Sequence, residues 1–349
     1  MNVTAISGRF GKKGFGMFLS CLFISTLVVT GAASAADMEI TPFNSFNQNP
    51  FIQIYGIPHE TGADIVAPGK LRAGLVQDYT SNYTVDYASS EQAHFDGETY
   101  RVAFTARYGI ARNGEVGIDI PYVSHGGGFL DSFIIDWHRS FGLPQGGRDL
   151  TANKQINYSY YKDGEKKVRM DYATSGIGDI SLTGGYRLYD ARDAAHHDML
   201  ALKGALKLPT GESSSLLGSG STDVLLQLCG SRNSPGEWGN MGIYGSLSGL
   251  FMSKSDVLRD QHKPFAGAGT IGAGWGPTPW ISFKVQLSGN TSVYRGSSLD
   301  EISRNSSMIM FGGALKFPGE YLLDIGVSEN VVAATAPDVS FHLGLTKEF

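Results

Sequence analysis

The chain has 349 residues, with 28 Lys and Arg against 33 Asp and Glu, for a formal net charge of −5. That mild acidity excludes a nucleic-acid binder, which needs clustered cations. The two cysteines, Cys21 and Cys229, are too few for a disulfide scaffold, and the 46 glycines show no Gly-X-Y period of the collagen kind.

The first element is a leader. Arg9, Lys12 and Lys13 precede the uncharged, largely apolar run Gly14 to Thr30, and Ala33-Ser34-Ala35 supplies a small-x-small cleavage site. This pattern predicts a secretory signal peptide over residues 1–35, with an uncleaved anchor as the rival reading. Cleavage removes three cations and no anion, so the charge falls to 25 − 33 = −8. Only Cys229 would survive, as a small packing residue. No other stretch could form a membrane helix, so a membrane-spanning mature chain must cross with strands.

Residues 36–69 contain Pro42, Pro50, Pro58 and Pro68 and have no clean period. They are expected to form a periplasmic lead-in or an inward plug.

From residue 70 onward the pattern changes to alternation. About twelve strands are predicted, near 70–80, 98–109, 114–124, 178–189, 198–208, 221–230, 238–252, 265–275, 280–290, 306–317, 321–328 and 339–349. In Leu200-Ala201-Leu202-Lys203-Gly204-Ala205-Leu206-Lys207-Leu208 one face is nearly all Leu and the other carries two Lys. A soluble barrel puts its apolar face inward. Here one face carries many charges and the other almost none, which fits lipid outside and a polar lumen. The fold class is therefore all-β: an antiparallel transmembrane barrel over 70–349.

Connections alternate between short ones, near 110–113, 190–197, 231–237, 276–279 and 318–320, and long ones over 81–97, 125–177, 209–220, 253–264, 291–305 and 329–338. Short periplasmic turns and longer outer loops are usual, and an even strand count places both ends in the periplasm. Aromatics gather near strand ends: Tyr79, Tyr108, Tyr122, Tyr186, Tyr189, Phe265, Trp275, Trp280, Phe317, Tyr321 and Phe349. They read as interfacial girdles. The closing strand ends on Phe349, the expected signal for the barrel-assembly machinery.

The inward face supplies the candidate pore-lining residues Arg72, Arg101, Arg107, Asp119, Asp179 and Lys203. Hairpin geometry predicts ion pairs between Arg107 and Glu115, Lys316 and Asp324, and Lys207 and Asp223. They would stiffen the wall, tune a pore, or do both.

In the longest loop, Phe129, Leu130, Phe133, Ile134, Trp137 and Phe141 recur at helical spacing between glycine-rich ends. This predicts a short amphipathic helix at 129–141. It would either enter the barrel mouth, with Phe129, Phe133, Trp137 and Phe141 as a constriction, or lie on the membrane surface. Constriction is the preferred expectation.

Catalytic and metal sites are not expected. His138-Arg139-Ser140 has a spacing similar to that of the twelve-stranded outer-membrane phospholipase, but two residues apart on a helix diverge by about 200°. Gly267-Ala268-Gly269-Thr270-Ile271-Gly272 matches a dinucleotide pattern but has no helix after it to receive a phosphate. His196-His197-Asp198 lacks a partner cluster for metal. No cofactor is implied.

Several segments resemble an uncharacterised family of bacterial outer-membrane barrel proteins, a domain of unknown function. They are Asn49-Pro50-Phe51 through Tyr55-Gly56-Ile57-Pro58, Phe129-Leu130-Asp131-Ser132-Phe133, and Phe141-Gly142-Leu143-Pro144-Gln145-Gly146-Gly147-Arg148. Ser175-Gly176-Ile177-Gly178-Asp179 and Leu206-Lys207-Leu208-Pro209-Thr210-Gly211 are similar to a broader group of outer-membrane transporters, some associated with aromatic-compound degradation. The resemblance implies a barrel and a transport role, with no established substrate or functional residues. The expected function is passive passage of a small hydrophobic or aromatic solute through the cell outer membrane. A lipid hydrolase using Ser140 and a structural or adhesive barrel without conductance are the alternatives. The expected partners are outer-membrane lipid, the assembly machinery and the solute, with no nucleic acid.

Overall fold

The computed structural model describes residues 38–349 except 60, 89, 143–147, 149–150 and 333–334. The side chains of Trp137, His138, Phe141 and Val332 also lie outside the description, as does the expected signal peptide.

Fifteen strands follow in chain order: β1 (Leu71–Ala88), β2 (Glu91–Ala111), β3 (Gly114–Gly126), β4 (Asn157–Lys162), β5 (Glu165–Met170), β6 (Thr174–Ile177), β7 (Ser181–Arg192), β8 (His197–Lys207), β9 (Asp223–Gly236), β10 (Gly239–Met252), β11 (Phe265–Thr278), β12 (Ile281–Asn290), β13 (Ser306–Phe317), β14 (Tyr321–Val332) and β15 (Val339–Glu348). Twelve of them form a closed antiparallel barrel, with β3 pairing to β7 and the remaining neighbours consecutive. The seam closes where β1 meets β15 in unbroken register from Arg72↔Glu348 to Ser81↔Val339. Leu71 and Phe349 extend it by exchanging backbone hydrogen bonds. Closure leaves no unpaired edge in the hydrocarbon layer, which a spanning sheet requires.

Side-chain sorting follows the alternation. On β9, Val224, Leu226 and Leu228 are exposed outward, while Asp223, Gln227 and Asn233 are buried inward. On β12, Phe283, Val285 and Leu287 face out and Ser282, Lys284 and Gln286 face in. A Lys or Arg on the lipid face costs about 2–4 kcal/mol at mid-membrane, enough to fix the register of every strand. The protein is therefore an outer-membrane β-barrel. No helix among the described residues is long and apolar enough to cross a membrane.

Three connections differ from expectation. Residues 81–97 are not a loop: β1 and β2 continue as a paired ribbon to Ala88↔Glu91. The expected turn at 231–237 is tighter, because β9 and β10 remain paired through Gly236↔Gly239. The 125–177 connection adds strands of its own, since β4 pairs with the ribbon part of β2, β5 with β4, and β6 with the upper end of β3. In each case backbone groups lying beyond the bilayer find sheet partners that a period-two reading of one strand does not reveal.

The described residues among 38–67 run inside the barrel. The Ile40 amide donates to Asn233 Oδ1 (2.7 Å), the Phe43 amide to Gln286 Oε1 (2.9 Å), the Gly56 amide to Asp223 Oδ2 (2.8 Å) and the Val66 amide to Glu115 Oε2 (2.8 Å). An irregular chain has backbone donors with no sheet to satisfy them, and the polar lumen face supplies the acceptors. Near the outer end, Phe51, Ile52, Ile54 and Tyr55 join Phe95, Tyr158, Tyr160, Tyr294, Leu299 and Ile302 in one buried apolar cluster. This cluster covers the lumen beneath the loops.

Candidate functional site

Between the internal segment and the wall formed by β2, β3, β7, β8 and β9 lies a cavity of about 90 Å³. Its charged lining includes Arg101, Arg107, Asp119, Asp179 and Lys203, so five of the six candidate residues come together. Phe46, Gln53, Ile54, Tyr55, Ile57 and His59 of the internal segment complete it. The sequence pattern did not identify these six, because a segment without a period gives no face to assign. The signals for this segment were the Pro-rich composition of 36–69 and the family resemblance of Asn49 through Pro58.

The wall charges are largely matched. Arg107 donates to both oxygens of Asp119 at 2.7 and 2.9 Å. Lys207 contacts Asp179 at 2.5 Å and Asp223 at 3.4 Å. Asp179 also accepts the amides of Gly211 (2.8 Å) and Ser219 (3.1 Å), which folds the 209–220 loop back over the wall. Lys203 lies 3.5 Å from Glu115 and donates to the Asp64 carbonyl at 3.0 Å. Such groups are stable in a low-dielectric lumen only when paired and hydrogen-bonded. The remaining candidate, Arg72, sits apart at the end of the barrel where β1 begins and β15 finishes, and there it binds Asp64 and reaches Glu348 at 3.1 Å across the closing seam.

Of the three expected ion pairs, Lys207–Asp223 forms directly across Lys207↔Asp223. The other two re-sort. Arg107 opposes Gly117, so Glu115 and Asp119 are both diagonal to it; it takes Asp119, while Glu115 turns to Lys203 and the Val66 amide. Asp324 pairs with Lys284 from two strands away, because the intervening Gly312 has no side chain to block the path. Lys316 instead meets Glu320, at 3.5 Å.

The helix forms as expected in type and place: α1 spans Asp131–Phe141. Its position corrects the constriction reading. Leu130 and Ile134 pack with Val339, Tyr79, Val327 and Phe341, all on the outward parity of their strands. Phe129 lies 5.0 Å from the Tyr79 ring and Phe133 lies 6.1 Å from Phe341. The helix thus lies against the outside of the barrel near the membrane surface, where its apolar stripe meets apolar wall; the lumen is already filled by the internal segment. The corresponding placement of the Trp137 and Phe141 side chains lies outside the described residues. Glu98 anchors the start of α1, accepting the amides of Phe129 (2.9 Å) and Leu130 (2.6 Å) and the Tyr79 hydroxyl (2.5 Å).

The other motifs find local partners. Ser140 Oγ donates to the Asp136 carbonyl at 2.7 Å, and His197 lies between Glu39 (2.6 Å) and Asp190 (2.9 Å). Among the described residues, no group of three or more His, Cys, Asp or Glu is placed to hold a metal ion.

The sequence matches the model of the family described as protein of unknown function (DUF3187) over residues 18–349. The chain belongs to this family. No curated protein matches it. Among solved structures it is similar to the COG4313 outer membrane channel from Pseudomonas putida F1, with 15% identity, a TM-score of 0.52, and 82% of this chain and 97% of that chain covered. It also matches the translocator domain of the autotransporter NalP from Neisseria meningitidis (10% identity, TM-score 0.41, 82% and 91% covered) and the CymD monoaromatic hydrocarbon channel (11% identity, TM-score 0.35, 89% and 95% covered). At these identities the first likeness speaks for the barrel fold of this DUF3187 member and for nothing finer.

Proposed function

We propose that this DUF3187 barrel is a passive, non-enzymatic channel for a small solute with a hydrophobic or aromatic body, closed in the present conformation by residues 38–67. The observation that carries the reading is the mixed cavity between that segment and the wall. Charged groups from β2, β3, β8 and β9 and from Asp179 in the β6–β7 connection line it, while Ile54, Ile57, Leu217 and Leu225 give it apolar surface. A barrel of twelve strands lies between those filled by their own side chains and open porins, so a removable internal segment decides whether a path exists. At about 90 Å³ the cavity is a way-station, well below the several hundred Å³ of a ligand pocket, so passage requires the segment to shift. Arg101, Arg107, Asp119, Asp179 and Lys203 would line the path, with Arg72 at its periplasmic mouth. Outer-membrane lipid surrounds the apolar belt in this reading, and the assembly machinery recognises the strand ending at Phe349.

The test is reconstitution. Planar-bilayer conductance and liposome swelling are compared for the full mature chain and a variant lacking residues 38–66. The expected result is low, intermittent conductance for the former and a several-fold larger, steady conductance for the latter. A folded deletion variant that passes neither ions nor small solutes would remove the channel reading.

A further inference from the structure

Arg101 stands apart from the other cations of the internal cavity. Arg107, Lys203 and Lys207 each have a carboxylate, but Arg101 makes no ion pair among the described residues. It is only 5% exposed. Its Nη2 lies 3.3 Å from His59 Nε2, its guanidinium lies 5.1 Å from the centre of the Phe46 ring, and Nη1 has no hydrogen-bond partner. Asp78, directly opposite on β1, is engaged elsewhere, by His342 at 2.8 Å and Gln48 at 3.4 Å. Two further cavity-lining groups are unsatisfied: both amide atoms of Gln53, and Thr183 Oγ1.

A buried guanidinium with a free N–H is expensive unless something answers it. Its planar fork matches a carboxylate, whose two oxygens accept parallel hydrogen bonds. The cavity walls beside it, Ile54, Ile57 and Leu225, favour an apolar tail. The four acids of the same cavity, each already bonded, would repel a second negative charge on the ligand.

We propose that Arg101 anchors the carboxylate of a small organic monocarboxylic acid, making the cavity a monocarboxylate subsite on the solute path. The inference rests on the channel reading above and names the solute class. The volume of about 90 Å³ suits a short chain such as propionate. A longer or aryl tail requires displacement of the internal segment.

The experiment is calorimetric titration of the folded full-length barrel in detergent with sodium propionate, propionamide and inorganic phosphate, repeated on Arg101→Gln. Propionate is expected to bind at least tenfold more tightly than its isosteric amide, with phosphate no better than the amide. In Arg101→Gln the acid and amide should become equal, while heat-modifiable gel mobility reports that the barrel is folded. Equal binding of acid and amide by the unaltered protein would overturn the proposal without any variant, as would an undiminished preference in folded Arg101→Gln. Tighter binding of phosphate than of propionate would overturn the monocarboxylate assignment. Because binding is read without flux, the two readings fail separately. Swelling by neutral solutes with no propionate preference sinks only the subsite, whereas tight propionate binding without any flux sinks only the channel.

Discussion

The Gly56 amide donates to the Asp223 carboxylate at 2.8 Å, and Asp223 in turn lies 3.4 Å from Lys207. The internal segment is thus tied to the same acid that the wall uses for its own ion pairing. Filling of the lumen and stiffening of the wall are one network.

Lys207 is the cation on which that network depends. Replacing it by Met leaves Asp179 and Asp223 facing each other's charge in a buried site. Breaking one partner out of a buried pair costs about 3–5 kcal/mol. Lys207→Met is expected to lower the urea unfolding midpoint in lipid vesicles accordingly. Combining it with Asp179→Asn should recover part of the loss, and a double-mutant cycle on the same unfolding curves measures the coupling.

Gly242 is where the wall makes room for the internal segment. It faces inward on β10, and a Cβ placed there would overlap the Ile40 side chain. Gly242→Val is expected to push the 38–43 stretch off the wall at a cost of about 1–3 kcal/mol, the usual range for overpacking. Limited proteolysis of the folded barrel should then cut within 38–56, where the parent protein resists.

Glu98 holds the start of α1 through two hydrogen bonds and accepts a third from Tyr79, and its loss concerns the surface rather than the wall. Glu98→Ala leaves the Phe129 and Leu130 amides without their acceptor, a loss of about 1–3 kcal/mol felt locally. Hydrogen exchange in 129–141 should accelerate at least tenfold. The global unfolding midpoint should move little, because the barrel ladder is untouched.

Glu301, in the loop between β12 and β13, is raised to about 7 by burial, reinforced by the neighbouring Asp86. The folded chain therefore keeps a proton that the unfolded chain releases near the ordinary 4.5. No penalty exists below about pH 4, and stability declines as pH rises through the window from 4.5 to 7. Glu301→Gln stays neutral and removes the effect. The stability gain of the variant should be near zero at pH 4 and reach about 1–2 kcal/mol at pH 8, discounted for partial solvent access. A gain of equal size at both pH values would contradict this assignment.

The amino-acid sequence by itself determined the architecture. A period-two pattern with one charge-free face has a single low-energy solution in a bilayer, so the number of barrel strands and the sense of the two faces were legible, whereas the extensions of β1, β2 and β9 and the three strands within 125–177 were not. Arg101, Arg107, Asp119, Asp179 and Lys203 could be assigned inward for the same reason, as could the Lys207–Asp223 pair across its hairpin. Only the tertiary structure decided what those residues meet. Partner choice depends on strand tilt and on gaps such as Gly312, which let Lys284 rather than Lys316 reach Asp324. It also decided that α1 packs outside and that residues 38–67 pack inside. An amphipathic helix states that it needs an apolar surface, and an aperiodic segment states only that its backbone needs acceptors. Which surface and which acceptors become available is settled when the barrel closes, by contacts between residues far apart in the chain, such as Asn47 and Thr335, separated by 288 positions.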